Sequence, residues 1–142
     1  MTCSGAINTG GDIKVGVNEG VAGSNGIGTS GNPATGGSGV NIFSNPEQVF
    51  RQFRPIAISE DTRAGRGTLY GLPRWNVDMS IGKRLQIVRN VRGVVTADVL
   101  NLFNTIQYSN PGLNLTSPTT FGVVTSQGNQ PRAVQIGLRL EF

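Results

Sequence analysis

Two stretches of this sequence have the residue types and spacing that enzymatic or binding chemistry would need. Residues Gly31–Ser38 share the glycine spacing of a phosphate-binding loop, but they lack the lysine that reaches the phosphates and follow no convincing strand. Glu60 and Asp61 are adjacent carboxylates of the kind used in acid–base chemistry. Adjacent side chains rarely converge on one substrate, and no nucleophile or base accompanies them. We therefore predict a flexible loop and a solvated carboxylate pair.

The residues that are missing argue further against catalysis. Histidine is absent, which removes the commonest general base and metal ligand, and Cys3 is the only cysteine. We therefore predict that the protein is not an enzyme and holds no cofactor and no metal.

Asp78 and Asp98 could line a ligand path, but pairing with Arg84 or Arg139 is the prediction we favour.

Composition favours a β protein with long loops. The 142 residues include 21 glycines and 7 prolines, and only 14% are charged. The net charge of +4 comes from scattered cations with no more than two adjacent, so nucleic-acid binding is not expected. No signal peptide and no apolar run of transmembrane-helix length is visible. For an exported protein, this suggests that the true start of the gene lies upstream of Met1.

Strict alternation of apolar and polar residues marks three segments, about 75–87, 93–103 and 132–142. Two irregularities interrupt it. Lys83 breaks the first segment near where a membrane strand would leave the bilayer, where a lysine can snorkel. The parity flip after Val99 predicts a β-bulge near Leu100–Asn101, and an unbroken ladder over residues 95–103 would rule that bulge out.

Loop lengths and the polar face of these segments point to a membrane barrel. The turn near 88–92 is short, whereas 104–131 and the Gly/Asn/Ser-rich region 1–74 are long, as in barrels with short periplasmic turns and long extracellular loops. Arg139 has the parity of a water-filled lumen, since an arginine on the lipid face at mid-bilayer would cost about 2–4 kcal/mol. We predict an all-β, antiparallel meander of three to four strands at the C-terminal end of a transmembrane β-barrel.

This topology gives each long segment an expected place. If the chain ends in the periplasm, residues 1–74 and 104–131 are extracellular, and Trp75 and Tyr108 lie near the outer interface. Residues 1–46 are too polar and glycine-rich to offset their ordering entropy, so we expect a long, poorly ordered surface loop. A short helix over 46–53 and brief pairing of residues 121–125 are also predicted.

Two motifs resemble TonB-dependent outer-membrane receptors. An "NLF(D/N)…Y" segment near the end of those receptors is matched by Asn101, Leu102, Phe103, Asn104 and Tyr108. The barrel-assembly signal at their C-terminus is matched by Gln135, Gly137, Leu140 and Phe142. Further likeness, from Arg66 to Lys83 and at Phe121–Thr125 with Pro131-Arg132, is to the Oar-like subgroup. The resemblance covers about residues 63–142.

The resemblance implies a 22-stranded barrel with an N-terminal plug, energised by the TonB complex and moving large ligands inward. The implied partners are outer-membrane lipid, the barrel-assembly machinery, the rest of the barrel and its plug, and the TonB complex through those other parts. The implied location is the bacterial outer membrane. This chain holds about three of the strands and no plug, so it would close the barrel and supply two loops. A secreted Gly/Asn-rich adhesin or fibre segment is the alternative.

Overall fold

The computed structural model describes residues 6–57, 61 and 69–142. They form two compact units, one holding the chain up to Pro73 together with Tyr108–Ser126, the other Arg74–Gln107 together with Gln127–Phe142. Cys3 and Glu60 lie outside the described residues. The loop between the second and third alternating segments is thus shared between the units.

The first unit is built from short elements. Its strands are β1 (Ala6–Asn8), β2 (Asn18–Glu19), β3 (Val40–Asn41) and β4 (Phe53–Pro55), its α-helix is α1 (Pro46–Arg51), and its 3-10 helices are Thr29–Gly31, Pro33–Thr35 and Pro118–Thr120. β1 pairs with β4 and β2 with β3, both antiparallel. The Asn45 side chain accepts the Gln48 N–H and caps α1, which confirms the predicted short helix. In the described ranges no helix has the length and apolarity to cross a membrane.

A hydrophobic core joins distant parts of the first unit, so our expectation of a poorly ordered loop was wrong for its described residues. Phe121 is fully buried, and its ring packs against Phe43, Phe50 and Phe53 at centroid distances of 5.4, 5.0 and 6.2 Å. Backbone bonds from Ile42 N–H to Gly122 O and from Val124 N–H to Val40 O join the two segments, at 2.9 and 3.0 Å. This confirms the predicted pairing of 121–125.

The second unit is a three-stranded antiparallel meander. Its strands are β5 (Met79–Val88), β6 (Val91–Leu100) and β7 (Ala133–Glu141), in the order β5-β6-β7. Only Arg89 and Asn90 separate β5 from β6, while 32 residues (101–132) separate β6 from β7. The predicted all-β meander and its contrast of short turn and long connection are confirmed.

The strands differ in detail from the alternating segments. β5 begins four residues after Trp75, and β6 ends three residues before Phe103. The ladders of β6 are regular up to Val99 and Leu100, where the strand ends, so they do not extend over 95–103 and the bulge near Leu100–Asn101 stays a prediction. The register shift that the ladders do show lies between Gln86 and Val88. Lys83 is the fifth of ten residues in β5, so it does not mark the end of the strand as expected.

Candidate functional site

Asn101 organises the chain where β6 ends. It adopts left-handed backbone geometry with φ 52°, and it is only 5% exposed. Asparagine tolerates this conformation better than other non-glycine residues. This left-handed conformation ends the strand at Leu100, at the point where the alternation of apolar and polar residues in the sequence is interrupted.

The Asn101 side chain then ties together the two ends of the connection to β7. Its amide group donates to the backbone oxygens of Thr105 and Gln130 at 3.1 and 3.0 Å. Its Oδ1 accepts the Thr105 N–H at 3.0 Å, and its own backbone N–H donates to Asp78 Oδ1 at 2.8 Å. These bonds hold the exit of β6, the approach to β7 and the start of β5 in one arrangement.

The other residues of the predicted motif extend this turn. Asn104 is also left-handed, with φ 50°, and its Oδ1 accepts the Arg132 N–H at 3.0 Å next to the start of β7. The Leu102 N–H donates to Val77 O at 2.9 Å. Phe103 is exposed and its ring lies 5.9 Å from that of Trp75. We name residues 101–104 the asparagine turn.

Tyr108 does not join the asparagine turn. It belongs to the first unit, where it is half-buried against the hydrophobic core. Tyr108 and the four motif residues before it therefore belong to different units. Its predicted location near the outer interface stays a prediction.

The residues predicted as an assembly signal lie along β7 on alternating faces. Gln135 and Gly137 stand in row with Asp98 and Thr96 of β6, whereas Leu140 stands in row with Gly93. Phe142 follows the strand and is 95% exposed. Their role in assembly stays a prediction.

Register divides the meander into an apolar face and a polar face. We define the apolar face by four rows: Met79–Val99–Val134, Ile81–Ala97–Ile136, Lys83–Val95–Leu138 and Leu85–Gly93–Leu140. We define the polar face by the four rows between and below them: Ser80–Asp98–Gln135, Gly82–Thr96–Gly137, Arg84–Val94–Arg139 and Gln86–Arg92–Glu141. Lys83 is the single charged residue on the apolar face.

Hydrogen bonds on the polar face differ from those predicted. Asp78 accepts from the Asn101 N–H and from the Asn76 side chain, and Asp98 accepts from the Ser80 hydroxyl. Among the described residues neither aspartate pairs with Arg84 or Arg139, so that prediction was wrong. Asp78 is drawn instead to the backbone N–H that the left-handed residue Asn101 turns toward it.

The glycine-rich segment 31–38 forms 3-10 turns rather than a phosphate cradle. Asn32 Oδ1 accepts the Ala34 N–H at 2.9 Å and begins the second turn. Gly31 packs against Val123, where an added Cβ would lie 3.0 Å from the valine side chain. In the part of the chain that the structure describes, no group of three acidic, histidine or cysteine side chains is placed to hold a metal ion.

Two carboxylates of the first unit are held ionised. The Arg54 guanidinium donates to both oxygens of Asp61, at 2.6 and 2.7 Å, and with the Ala57 N–H it lowers the pKa of that carboxyl. Glu47 accepts from the Ser24 hydroxyl and the Asn25 side chain, and these bonds together with Arg51 lower its pKa. Asp61 therefore has a structural partner, and its side chain is only 9% exposed, so the prediction of a solvated carboxylate was wrong for Asp61.

The lowered pKa values predict acid sensitivity of the first unit. A carboxyl whose pKa is lower in the folded state stabilises that state above its unfolded pKa, near 4 for Asp and Glu. The contribution is lost as pH falls through the lower folded value. We expect the hydrogen-exchange protection factors of the unit, which are corrected for the intrinsic rate at each pH, to fall below about pH 4. Asp61→Asn should remove part of this dependence, and Asp12→Asn should not. An identical acid response in both variants would contradict the assignment.

Two asparagines, Asn41 and Asn129, hold backbone groups that the sequence did not lead us to expect. Asn41 is 1% exposed, donates to Phe121 O at 3.0 Å and accepts the Phe43 N–H at 2.9 Å. Asn129 donates to Thr105 O and accepts the Gln107 N–H, both at 2.8 Å. Nothing in the sequence around Asn41 indicated that this asparagine is buried. Nothing in the sequence around Asn129 pointed to it.

Comparison with known proteins gives one match. The family model described as "Outer membrane beta barrel domain" matches residues 6–135, which is most of the chain. No curated protein and no solved structure matches.

Proposed function

The chain belongs to the outer membrane β-barrel domain family, and on that basis we propose that it closes the barrel of a TonB-dependent, Oar-like outer-membrane receptor. Family membership places the protein in the bacterial outer membrane and makes the meander part of a transmembrane barrel. We propose further that it has no enzymatic activity. Its part in transport is then structural, with the rest of the barrel and the plug as partners.

The division of the meander into two faces carries the barrel part of the proposal. β5 has ten residues, which at about 3.3 Å each and a tilt of about 45° reach about 23 Å across a membrane. An outer-membrane barrel has an apolar band about 25 Å tall, flanked by aromatic residues. The Trp75–Phe103 pair lies beyond one end of the strands and Phe142 at the other.

The part of the proposal that concerns a receptor is supported by the asparagine turn and by the residues at the end of the chain that match the assembly signal. The turn fixes where the β6–β7 connection leaves and re-enters the sheet, and most of that connection, Tyr108–Ser126, folds with the N-terminal region into a unit with a core. A receptor needs ligand-contacting loops of defined shape on a rigid scaffold. We propose that this first unit is the extracellular part, and that Phe142 and its neighbours engage the barrel-assembly machinery.

Uptake measurements test the receptor proposal. Cells lacking the gene are compared with wild-type cells and with cells lacking TonB, using labelled iron chelates, cobalamin and oligosaccharides. We expect the gene deletion to abolish uptake of one of these ligand classes, and the TonB deletion to abolish the same uptake. Unchanged uptake of every class, or an affected uptake that continues without TonB, would overturn the proposal.

The exposed apolar face predicts poor solubility of the isolated chain. Ile136, Leu138 and Phe142 are 76%, 70% and 95% exposed, and β5 and β7 each leave one edge unpaired within the described residues. Both features promote aggregation in water. We expect the purified chain to sediment without detergent and to stay dispersed in nonionic micelles. Ile136→Ser/Leu138→Ser should reduce sedimentation, and Gln135→Ser should not. A stable monomer in plain buffer would contradict the lipid-facing assignment.

A further inference from the structure

Arginines gather at one end of the polar face. Arg84, Arg92 and Arg139 occupy the two rows nearest the Arg89–Asn90 turn, while Asp98 lies toward the other end and Asp78 directly precedes β5. Both aspartates are already hydrogen-bonded within the chain. Of the three arginines, Arg139 alone forms an ion pair among the described residues, with Glu141 at 3.5 Å. The arginine end therefore carries excess positive charge.

Register brings these three side chains around one spot. Arg84 and Arg139 flank Val94 in a single row, so their Cβ atoms are separated by two strand spacings, about 9.5 Å. Arg92 precedes Val94 by two residues on the central strand and shares its face. Val94 is half-buried and forms an apolar floor between them. Three guanidinium groups on long side chains can converge above it.

We propose that Arg84, Arg92 and Arg139 bind a small anion carrying two or more negative charges, such as a phosphate or carboxylate compound, in the barrel lumen. Guanidinium groups donate paired hydrogen bonds to carboxylate and phosphate oxygens. The occupant is a solute rather than an acidic polypeptide, because the three arginines surround one spot about a single strand spacing in radius. The inference rests on the proposed function to the extent that the polar face lines the lumen.

Pyrophosphate is the probe, titrated calorimetrically into the full chain in nonionic micelles at low ionic strength, where charges are least screened. The test variant is Arg84→Gln/Arg139→Gln. The matched control is Arg89→Gln/Arg132→Gln, which removes the same charge from the β5–β6 turn and from the residue before β7. We expect the dissociation constant to rise about tenfold or more in the test variant and less than twofold in the control.

Equal weakening in both double variants would show a general charge effect and overturn the inference. The inference also fails if the wild-type chain binds no pyrophosphate, or if hexaglutamate binds the chain more tightly than pyrophosphate does and depends on the same arginines. None of these results bears on the proposed function if cysteine labelling still shows that the apolar face contacts lipid. An apolar face labelled from water overturns the barrel proposal and this inference together.

Discussion

Gly122→Ala is expected to destabilise the first unit by about 2–4 kcal/mol. Gly122 has φ +75°, a conformation that costs alanine energy before any contact is considered. An added Cβ would lie 2.7 Å from the Phe43 ring and closer still to Asn41 Oδ1. Asn41 and Phe43 are both buried, so neither can move aside without disturbing the core.

Hydrogen exchange at two backbone amides measures this effect. The Ile42 N–H donates to Gly122 O and the Val124 N–H to Val40 O, so both report opening of the same unit. We expect protection of both amides to fall by roughly 30- to 1,000-fold. Gly16→Ala is the matched control, because a Cβ there meets nothing within 4 Å. Unchanged protection in Gly122→Ala, or an equal loss in the control, would contradict the packing described around Asn41.

Asn101→Ala is expected to destabilise the meander by about 2–4 kcal/mol. The change leaves the Thr105 N–H and the Gln130 backbone oxygen without the partner that they have in the wild type, while the Thr105 oxygen keeps its bond from the Asn129 side chain. It also puts alanine in a left-handed conformation. Each unmet buried group costs about 1–3 kcal/mol, partly recovered where water enters.

Trp75, the only tryptophan, reports this loss, since its ring contacts Phe103 within the asparagine turn. Urea unfolding in micelles, followed by its fluorescence, should show a lower midpoint for Asn101→Ala. Asn101→Gly keeps the backbone geometry and should recover only the conformational part. Asn104→Ala, which loses one acceptor, should cost less. If Asn101→Gly restored full stability, the side-chain bonds of Asn101 would be unimportant and this account of the turn would fail.

The meander could be predicted from the sequence because each of its strands has one apolar face and one polar face. Ile136, Leu138 and Leu140 alternate with Gln135, Gly137 and Arg139, and this period is visible without knowing any partner strand. The end of β6 was harder to predict. A left-handed asparagine lies directly after Leu100, where the ladder ends, and the alternation of side chains did not predict that the strand stops there.

The core of the first unit could not be predicted in the same way. It joins Ile42 and Phe43 to Phe121 and Val124, almost eighty residues away, through short segments without period. Glycines with positive φ, such as Gly28 and Gly122, let the backbone approach Asn41 closely. We interpreted the high glycine content as a sign of flexibility, whereas these glycines allow close packing in the core.

The candidate site was predicted in its residues but only partly in its geometry. Asn101 and Asn104 were identified through the motif, yet the hydrogen bonds that give them their position depend on Gln130 and Arg132, which lie far along the chain. Tyr108 is close in sequence to the asparagine turn but belongs to the other unit. Distance along the chain was therefore a poor guide: residues far apart in sequence share the turn, and a residue near in sequence does not.

Cysteine labelling along β7 tests the central claim, that one face of the meander meets lipid and the other water. In a Cys3→Ser background, single cysteines replace Ile136 and Leu138 on the apolar face, and Gln135 and Arg139 on the polar face. In outer-membrane fractions, cysteines at 136 and 138 should resist a water-soluble maleimide, and a fluorophore attached there should be quenched by spin-labelled lipid. Cysteines at 135 and 139 should react with the maleimide and escape quenching. Equal reaction of all four positions with the water-soluble reagent would contradict the barrel assignment.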